Sequence, residues 1–200
     1  MINNWLKINF SDFFTKKAKQ NKLRARSWFK LDEINRKYNL FKPNINVIDL
    51  GSSPGSWSQY AINKIKPSGK IIACDILSMY PINGVKFIQG NFCNNKIFHK
   101  LIKIGRNNIQ LVLSDASPNI SGISLVDNKN FYNLLIKIIL LCRKVLTKNG
   151  NLIMKIFYNE EINRYMKIIS LLFTYVKIDK PIASKSKSKE VYIIAIKYKF

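Results

Sequence analysis

The chain has 200 residues, 47% of them hydrophobic, and its 34 lysines and arginines against 11 acidic residues give a formal net charge of +23. Such a length and composition predict one globular domain, and the charge favours nucleic acid as the partner over an acidic membrane surface. The three cysteines lack C-x-x-C spacing and the one histidine has no partner cluster, so we expect neither a disulfide framework nor a metal site. We see no signal peptide and no apolar run long enough to cross a bilayer, and expect a cytoplasmic protein without membrane contact.

The predicted elements begin after a basic arm. Residues 1–22 are polar and lysine-rich, and we expect them to form a loosely ordered arm before a single domain over residues 23–200. Apolar residues at helical spacing predict a first helix over Arg24–Tyr38. Further helices are predicted over Ser56–Ile65, Asn95–Ile104, Asn130–Leu146 and Glu161–Phe173. Strands are predicted over Val47–Leu50, Lys70–Asp75, Val85–Gln89, Ile109–Ser114, Asn151–Phe157, Tyr175–Ile178 and Val191–Lys197.

The alternation of strands and helices predicts an α/β fold with a doubly wound, mostly parallel seven-stranded sheet. The last two strands are separated by a loop too short for a helical crossover, so we expect them to pair antiparallel. Six strands in one direction and an antiparallel last strand are the arrangement of Rossmann-like methyltransferases that use S-adenosylmethionine (SAM).

The junction after the first strand reads V-I-D-L-G-S-S-P-G-S-W-S-Q. Gly51 and Gly55 have G-x-x-x-G spacing, which differs from the dinucleotide fingerprint and from the phosphate-binding P-loop. Asp49 before the turn would repel a pyrophosphate but suits the amino group of a zwitterionic ligand. The junction therefore favours SAM over NAD or ATP, with an ordinary strand–turn–helix connection as the alternative.

Acidic residues follow several predicted strands, at the sheet edge where doubly wound folds bind ligands. Asp75 stands about 20 residues beyond the glycine loop, where a carboxylate accepts hydrogen bonds from ribose hydroxyls; the alternative is a helix N-cap. Asn91 follows the third strand and is a candidate for the adenine amino group, or else a turn residue. Asp115 enters a loop rich in serine, proline and asparagine, which is suited to substrate placement.

Lys155 interrupts the otherwise apolar strand L-I-M-K-I-F. An unpaired lysine is costly to bury, so its side chain either reaches solvent from the strand or is required in a site. We interpret it as a candidate general base.

Six segments together resemble a known family: A-R-S-W-F-K-L-D-E-I, D-L-G-S-S-P-G-S-W-S-Q-Y, I-I-A-C-D, S-D-A-S-P-N-I-S-G, M-K-I-F and S-K-E-V-Y-I-I-A. The order and spacing of these segments, from about residue 22 to the end, resemble those of the FtsJ-type family of heat-shock ribosomal RNA methyltransferases. The resemblance implies SAM-dependent methylation of the 2′-hydroxyl of a uridine in the 23S rRNA of the large ribosomal subunit. It implies a catalytic tetrad of Lys30, Asp115, Lys155 and Glu190, and a cofactor site of Gly55, Trp57, Asp75, Asn91 and Asp115.

Two positions depart from the family pattern. Asn91 stands where the family usually has aspartate, and Ser56 stands where it has a second glycine. An amide oxygen still accepts from the adenine amino group but without charge assistance, so we expect weaker cofactor binding with catalysis retained.

The expected partner is ribosomal RNA, and the protein is expected to act as a monomer. RNA contacts are predicted from basic residues that flank the tetrad, although most lysines in such a chain are simply solvated: Lys16, Lys17, Lys19, Lys22, Arg24, Arg26, Lys185, Lys187 and Lys189. Two alternatives are a non-catalytic RNA-binding or ribosome-assembly factor on the same fold and a methyltransferase for small molecules. The complete tetrad argues against the first, and the basic charge and lack of an inserted lid argue against the second.

Overall fold

The computed structural model describes residues 13–185 and 187–200 of the chain. Its helices cover residues 13–20 (α1), Ser27–Tyr38 (α2), Ser56–Ile65 (α3), Asn95–Gly105 (α4), Ser124–Val145 (α5) and Ile162–Ser170 (α6). Its strands are Val47–Leu50 (β1), Ile71–Asp75 (β2), Val85–Gln89 (β3), Ile109–Ser114 (β4), Leu146–Phe157 (β5), Phe173–Asp179 (β6) and Glu190–Tyr198 (β7). None of the helices in this part of the chain is long and apolar enough to span a bilayer.

The strands form one seven-stranded sheet in the order β3-β2-β1-β4-β5-β7-β6. The pairs from β3 to β5 are parallel, whereas β7 runs antiparallel to both β5 and β6. The predicted fold class is thereby confirmed, including the antiparallel last strand. The arrangement brings the carboxyl ends of β1, β2, β4 and β5 and the amino end of β7 to one edge of the sheet.

Helices cover both faces of the sheet because its central strands are apolar on both sides. On one face α2 and α3 bury Leu31, Ile34 and Trp57 against β1, β4 and β5. On the other face α4, α5 and α6 cover a second apolar cluster that includes Leu135 and Tyr165. Full burial of each large apolar side chain contributes roughly 1.5–3 kcal/mol, so the two clusters fix the strand order that positions the sheet edge.

Several predicted boundaries were wrong by a few residues. Helix α2 begins at Ser27 rather than Arg24, and the guanidinium group of Arg24 donates to the main-chain oxygens of Pro54, Tyr80 and Pro81. Helix α5 begins six residues earlier than predicted, and strand β5 begins directly after it. The additional first turns of α5 carry exposed Leu125 and Val126, so no buried apolar stripe marks them in the sequence.

The predicted basic arm falls partly on residues 1–12, which lie outside the described residues. Its described part contains helix α1, in which Ala18 is buried and the Phe14 ring lies 5.3 Å from the Phe29 ring of α2. Lys17 places its ammonium group 5.5 Å from the Phe29 ring centroid. These contacts connect the described part of the arm to the helix that carries Lys30.

Asp49 is fully buried in β1, and only one of its oxygens has a hydrogen-bond partner, the Ser58 hydroxyl at 2.6 Å. Burial raises the pKa of Asp49 to about 7. Since the folded-state pKa lies above that of the unfolded chain, the folded state gains stability from this proton at low pH and loses it as the pH rises through 7.

Asp49→Asn is therefore expected to stabilise the protein at pH 8 but not at pH 4. The gain at pH 8 is at most about 4 kcal/mol, because one unit of pKa corresponds to about 1.4 kcal/mol. Thermal unfolding of both proteins across this pH range measures the difference. Asp127→Asn is the control of opposite sign, because hydrogen bonds from the Ser121 backbone and hydroxyl lower the pKa of Asp127. An Asp49→Asn effect that is equal at both pH values would contradict the expectation.

Candidate active site

Four side chains that the sequence separates by up to 160 residues meet at the shared sheet edge. Asp115 follows β4 directly, and Lys155 lies near the end of the neighbouring β5. The Lys155 ammonium group is 3.1 Å from Oδ1 of Asp115 and also donates to the Asp115 main-chain oxygen. Their side chains are only 12% and 22% exposed, so the pair is largely shielded from water. The sequence prediction that these two groups converge therefore agrees with the geometry.

The antiparallel register of β5 and β7 brings Glu190 next to the Lys155–Asp115 pair. Lys155 pairs with Tyr192, and Phe157 pairs with Glu190. Residues two apart on a strand point to the same face, and directly opposed residues share that face, so Lys155, Tyr192 and Glu190 are neighbours. Lys30 reaches Glu190 from α2 and forms an ion pair with its Oε1 atom.

The Tyr192 hydroxyl joins the two ion pairs. It donates to Oε1 of Glu190 at 2.8 Å, approaches Oδ1 of Asp115 at 3.3 Å, and accepts from Lys30 at 3.3 Å. Burial and the two neighbouring carboxylates raise the pKa of Tyr192 well above its ordinary value, so the hydroxyl stays protonated. The sequence analysis did not assign this residue. Its i, i+2 spacing from Glu190 on one strand is the signal that would have identified it.

The two carboxylates have pKa values shifted in opposite directions. Burial raises the pKa of Asp115, with the charges of Lys155 and Lys30 acting against it. At Glu190 burial also acts upward, but the Lys30 charge and hydrogen bonds from Lys30 and Tyr192 lower the pKa overall. Glu190 is thus the permanent anion that holds Lys30, while Asp115 is the more readily protonated acid.

A cleft of about 530 Å³ opens beside the Lys155–Asp115 pair. Three of the predicted cofactor residues line it, namely Asp75, Asn91 and Asp115. Both oxygens of Asp75 accept backbone N–H groups, from Ser53 and from Leu77, each at 2.8 Å. The carboxylate is therefore fixed between the glycine loop and the loop after β2.

The glycine loop packs against the loop after β4 at Gly51. This residue has φ +70°, and a Cβ atom there would lie 2.6 Å from the Ala116 backbone. Only glycine allows both the conformation and the contact, so the V-I-D-L-G sequence brings the β1 loop and the Asp115 loop together at the cleft.

The other two predicted cofactor residues, Gly55 and Trp57, do not line the cleft. A Cβ atom on Gly55 would meet Arg24 and Met79, and the Trp57 indole is buried and donates to the Ser27 main-chain oxygen at 2.9 Å. Gly55 is the N-cap of α3 and Trp57 lies in its first turn, where backbone N–H groups favour an anion, although the Gly55 N–H itself donates to the Ser52 main-chain oxygen at 2.6 Å. Their assignment to the cofactor stays a prediction that concerns the backbone.

Arg26 also has a different setting from the one predicted. Its guanidinium group donates to the Ala183 main-chain oxygen at 2.6 Å, and Glu33 accepts the Ile182 backbone N–H at 2.9 Å. Arg26, just before α2, and Glu33, within it, therefore hold the loop before β7, and Lys30 lies between them in the chain. Arg24 and Arg26, which were expected to contact RNA, are engaged with protein carbonyls.

No group of three or more histidine, cysteine, aspartate or glutamate side chains that could hold a metal ion occurs within residues 13–185 and 187–200. This edge of the sheet carries two ion pairs that the Tyr192 hydroxyl connects, and a cleft large enough for a nucleoside lies beside them. Residues 23–198 match the profile of the FtsJ-like methyltransferase family.

The chain belongs to the FtsJ-like methyltransferase family.

Curated relatives agree with this assignment over nearly the whole chain. Ribosomal RNA large subunit methyltransferase E of Wigglesworthia glossinidia brevipalpis is 47% identical over 195 residues, which are 98% of this chain and 96% of the relative. The protein of the same name from Buchnera aphidicola subsp. Schizaphis graminum (strain Sg) is 44% identical over 194 residues, covering 96% of this chain and 94% of the relative.

A solved structure has the same fold. The crystal structure of a protein described as a ribosomal RNA methyltransferase from Plasmodium falciparum superposes with a TM-score of 0.77 at 29% identity, covering 88% of this chain and 98% of that one. This FtsJ-like methyltransferase is therefore an enzyme that uses SAM as its methyl donor.

Proposed function

We propose that this FtsJ-like methyltransferase methylates the 2′-hydroxyl of a uridine ribose in the 23S rRNA of the large ribosomal subunit. The observation that carries the proposal is the meeting of Lys155, Asp115, Lys30 and Glu190 beside a nucleoside-sized cleft. The large-subunit rRNA stated in the names of the two curated relatives supports the choice of substrate.

The cleft residues fit SAM by their chemistry. Asp75 keeps lone pairs beyond its two backbone bonds and would accept the ribose hydroxyls of the nucleoside. Asn91 would face the adenine amino group, although its Oδ1 atom already accepts the Cys93 backbone N–H at 2.9 Å. The start of α3 at Gly55 and Trp57 would hold the carboxylate of the methionine part through the N–H groups of the first helical turn, since the Gly55 N–H is bonded to Ser52. Asp115 would border the methyl group.

SAM supplies a methyl group already activated by its sulfonium charge, so the protein has to align the ribose oxygen and remove its proton. Lys155 would act as the general base, because it is the basic group next to the cleft-lining Asp115. Its ammonium group would first release one proton to solvent, and the neutral amine would then accept the proton of the ribose hydroxyl. The Asp115 carboxylate and main-chain oxygen would aim the Lys155 nitrogen at the ribose hydroxyl.

Lys30 would stabilise the negative charge that develops on the ribose oxygen or a nearby phosphate. Glu190 and the Tyr192 hydroxyl fix its ammonium group in place, and neither depends on the substrate to do so. Of the four tetrad members only Asp115 also lines the cleft, so it would couple the bound cofactor to the proton acceptor.

We further propose that residues 23–200 act as one methyltransferase domain, in the cytoplasm and as a monomer, with residues 1–22 as a basic arm. Phosphate contacts would come from lysines of the arm and of the loop before β7: Lys16, Lys17, Lys19, Lys22, Lys185, Lys187 and Lys189. Lys185, Lys187 and Lys189 are exposed and immediately precede Glu190, which supports this choice.

The test is incubation of the protein with labelled SAM and large ribosomal subunits that lack ribose methylation, followed by mapping of the label. We expect one labelled uridine ribose in 23S rRNA, and binding that weakens with salt by a log–log slope near −0.7 for each phosphate contact. RNA binding without any methyl transfer would instead indicate the non-catalytic assembly factor. Transfer to small molecules but not to subunits would indicate the other alternative.

A further inference from the structure

Tyr158 is an exposed aromatic residue at the end of the strand that carries Lys155. It follows β5 directly, and its side chain is 59% exposed. It stands three positions beyond Lys155, roughly 10 Å along the chain, and the alternation of side chains directs it from the other face of the same sheet edge. Within the described part of the chain no aromatic ring packs on it, in contrast to Phe157, whose ring lies 6.2 Å from that of Phe131. The apolar core therefore does not explain this tyrosine.

The backbone around Tyr158 is held in place although its ring is not covered. The Tyr158 N–H donates to the Lys189 main-chain oxygen at 2.7 Å, one residue before Glu190. On the other side, the Asn159 side chain donates to Asn128 of α5 at 2.9 Å. Two anchors on opposite sides hold the segment, so the ring is presented from a fixed backbone at the active edge.

The charged residues near Tyr158 in the structure favour a phosphate beside Lys189 and an uncharged base at Tyr158. Lys189 is exposed and is joined to Tyr158 through the backbone, so a phosphate beside it is favoured. Glu160, two residues beyond Tyr158, disfavours phosphate on that side, whereas Glu161 forms an ion pair with Arg164 at 3.3 Å. An exposed aromatic ring on a segment that is bonded to the Lys189 backbone suits an uncharged nucleobase, because unpaired bases in RNA are recognised by stacking on aromatic side chains.

We propose that Tyr158 is a substrate-binding residue that stacks on an unpaired base of the bound RNA, at or next to the methylated nucleotide. This inference rests on the proposed function, since it requires RNA at the tetrad. The stack holds one base of the target strand at the sheet edge, so that the ribose of the methylated nucleotide can reach Lys155 from there. It leaves the cofactor cleft untouched, because Tyr158 is not among the residues that line that cleft.

The experiment compares Tyr158→Ala, Tyr158→Phe and the wild type in steady-state methylation of large subunits. Loss of one base–aromatic stack is expected to raise the KM for subunits by about 5- to 100-fold in Tyr158→Ala. The KM for SAM and the Tm should stay unchanged, and Tyr158→Phe should retain the wild-type KM because it keeps the ring. Tyr175→Ala is the matched control: Tyr175 is 46% exposed but lies near the start of β6, towards the opposite edge of the sheet.

The outcomes separate this inference from the proposed function. If the wild type methylates subunits and Tyr158→Ala has a KM within twofold of it, the stacking role is overturned and the proposed function stands. An equal rise of KM in Tyr175→Ala, or in Tyr158→Phe, overturns it as well. If the wild type transfers no methyl group to subunits, the proposed function fails and the inference falls with it.

Discussion

Replacement of Lys155 by methionine is expected to lower the kcat for methylation of large subunits by about 10²–10⁴-fold, the usual contribution of a positioned general base. Methionine keeps most of the length of the side chain but cannot accept a proton. The affinity for SAM should remain near that of the wild type, because Lys155 does not line the cofactor cleft. Single-turnover methylation with labelled SAM and equilibrium binding of SAM measure the two quantities.

Three further variants determine what such a loss means. Lys155→Arg keeps a positive charge but has no neutral form at accessible pH, so it should be as inactive as Lys155→Met if the residue is the base. Lys37→Met is the matched control, since Lys37 forms a 2.8 Å ion pair with Asp179 outside the cleft, and it should be fully active. Loss of Lys155 leaves the shielded Asp115 carboxylate without its cation, so Tm is measured for Lys155→Met and for the double variant with Asp115→Asn. Near-normal turnover by folded Lys155→Met would remove the assignment.

The fold was predictable because the spacing of apolar residues along the chain distinguishes most of the strands from the helices. The short run V-I-D-L before a glycine turn predicts a central strand, and Val47–Leu50 is indeed buried at all four positions. The antiparallel pairing of β7 with β6 followed from the short connection after β6, whereas the pairing of β7 with β5 was not predicted. The start of α5 was missed because the polar run Asp127, Asn128 and Lys129 separates exposed Leu125 and Val126 from the apolar stripe of the rest of the helix. The start of α2 was missed because Arg24 looks like a helix former, whereas three main-chain oxygens hold its guanidinium group.

The site was predictable to the extent that sequence order determines the sheet edge. Asp75 and Asp115 follow apolar strands, and their arrival at one cleft is a consequence of parallel topology. The contact of Lys30 with Glu190 spans 160 positions and depends on the packing of α2, so only the family resemblance indicated it. Tyr192 looked like an ordinary core aromatic in E-V-Y-I-I-A. Its i, i+2 spacing from Glu190 places it on the same face of the strand, but the spacing alone does not show that its hydroxyl bridges two carboxylates.

Among the tetrad residues, Asp115 alone belongs to both the cofactor cleft and the ion-pair network. Asp115→Asn should therefore lower the affinity for SAM as well as kcat, each by roughly 10- to 100-fold, because hydrogen bonds to charged groups contribute about 1.5–3 kcal/mol. Lys155→Met, in contrast, should lower kcat alone. The pair of variants distinguishes the residue that connects the two halves of the site from the residue that only moves the proton.

Asp115→Asn also carries a pH signature. Burial raises the pKa of Asp115, so on acidification the wild type should lose kcat at a higher pH than an ordinary aspartate would allow, as Lys155 loses its anionic partner. The part of the acidic limb that arises from Asp115 should be absent in Asp115→Asn, because an amide does not titrate in this range. Asp179→Asn is the matched control, since it removes the same charge from the Lys37 ion pair and should leave SAM affinity and the acidic limb unchanged. Unaltered SAM binding by Asp115→Asn would place Asp115 with the proton acceptor alone, and the cleft would then have to hold the cofactor through Asp75, Asn91 and the α3 backbone.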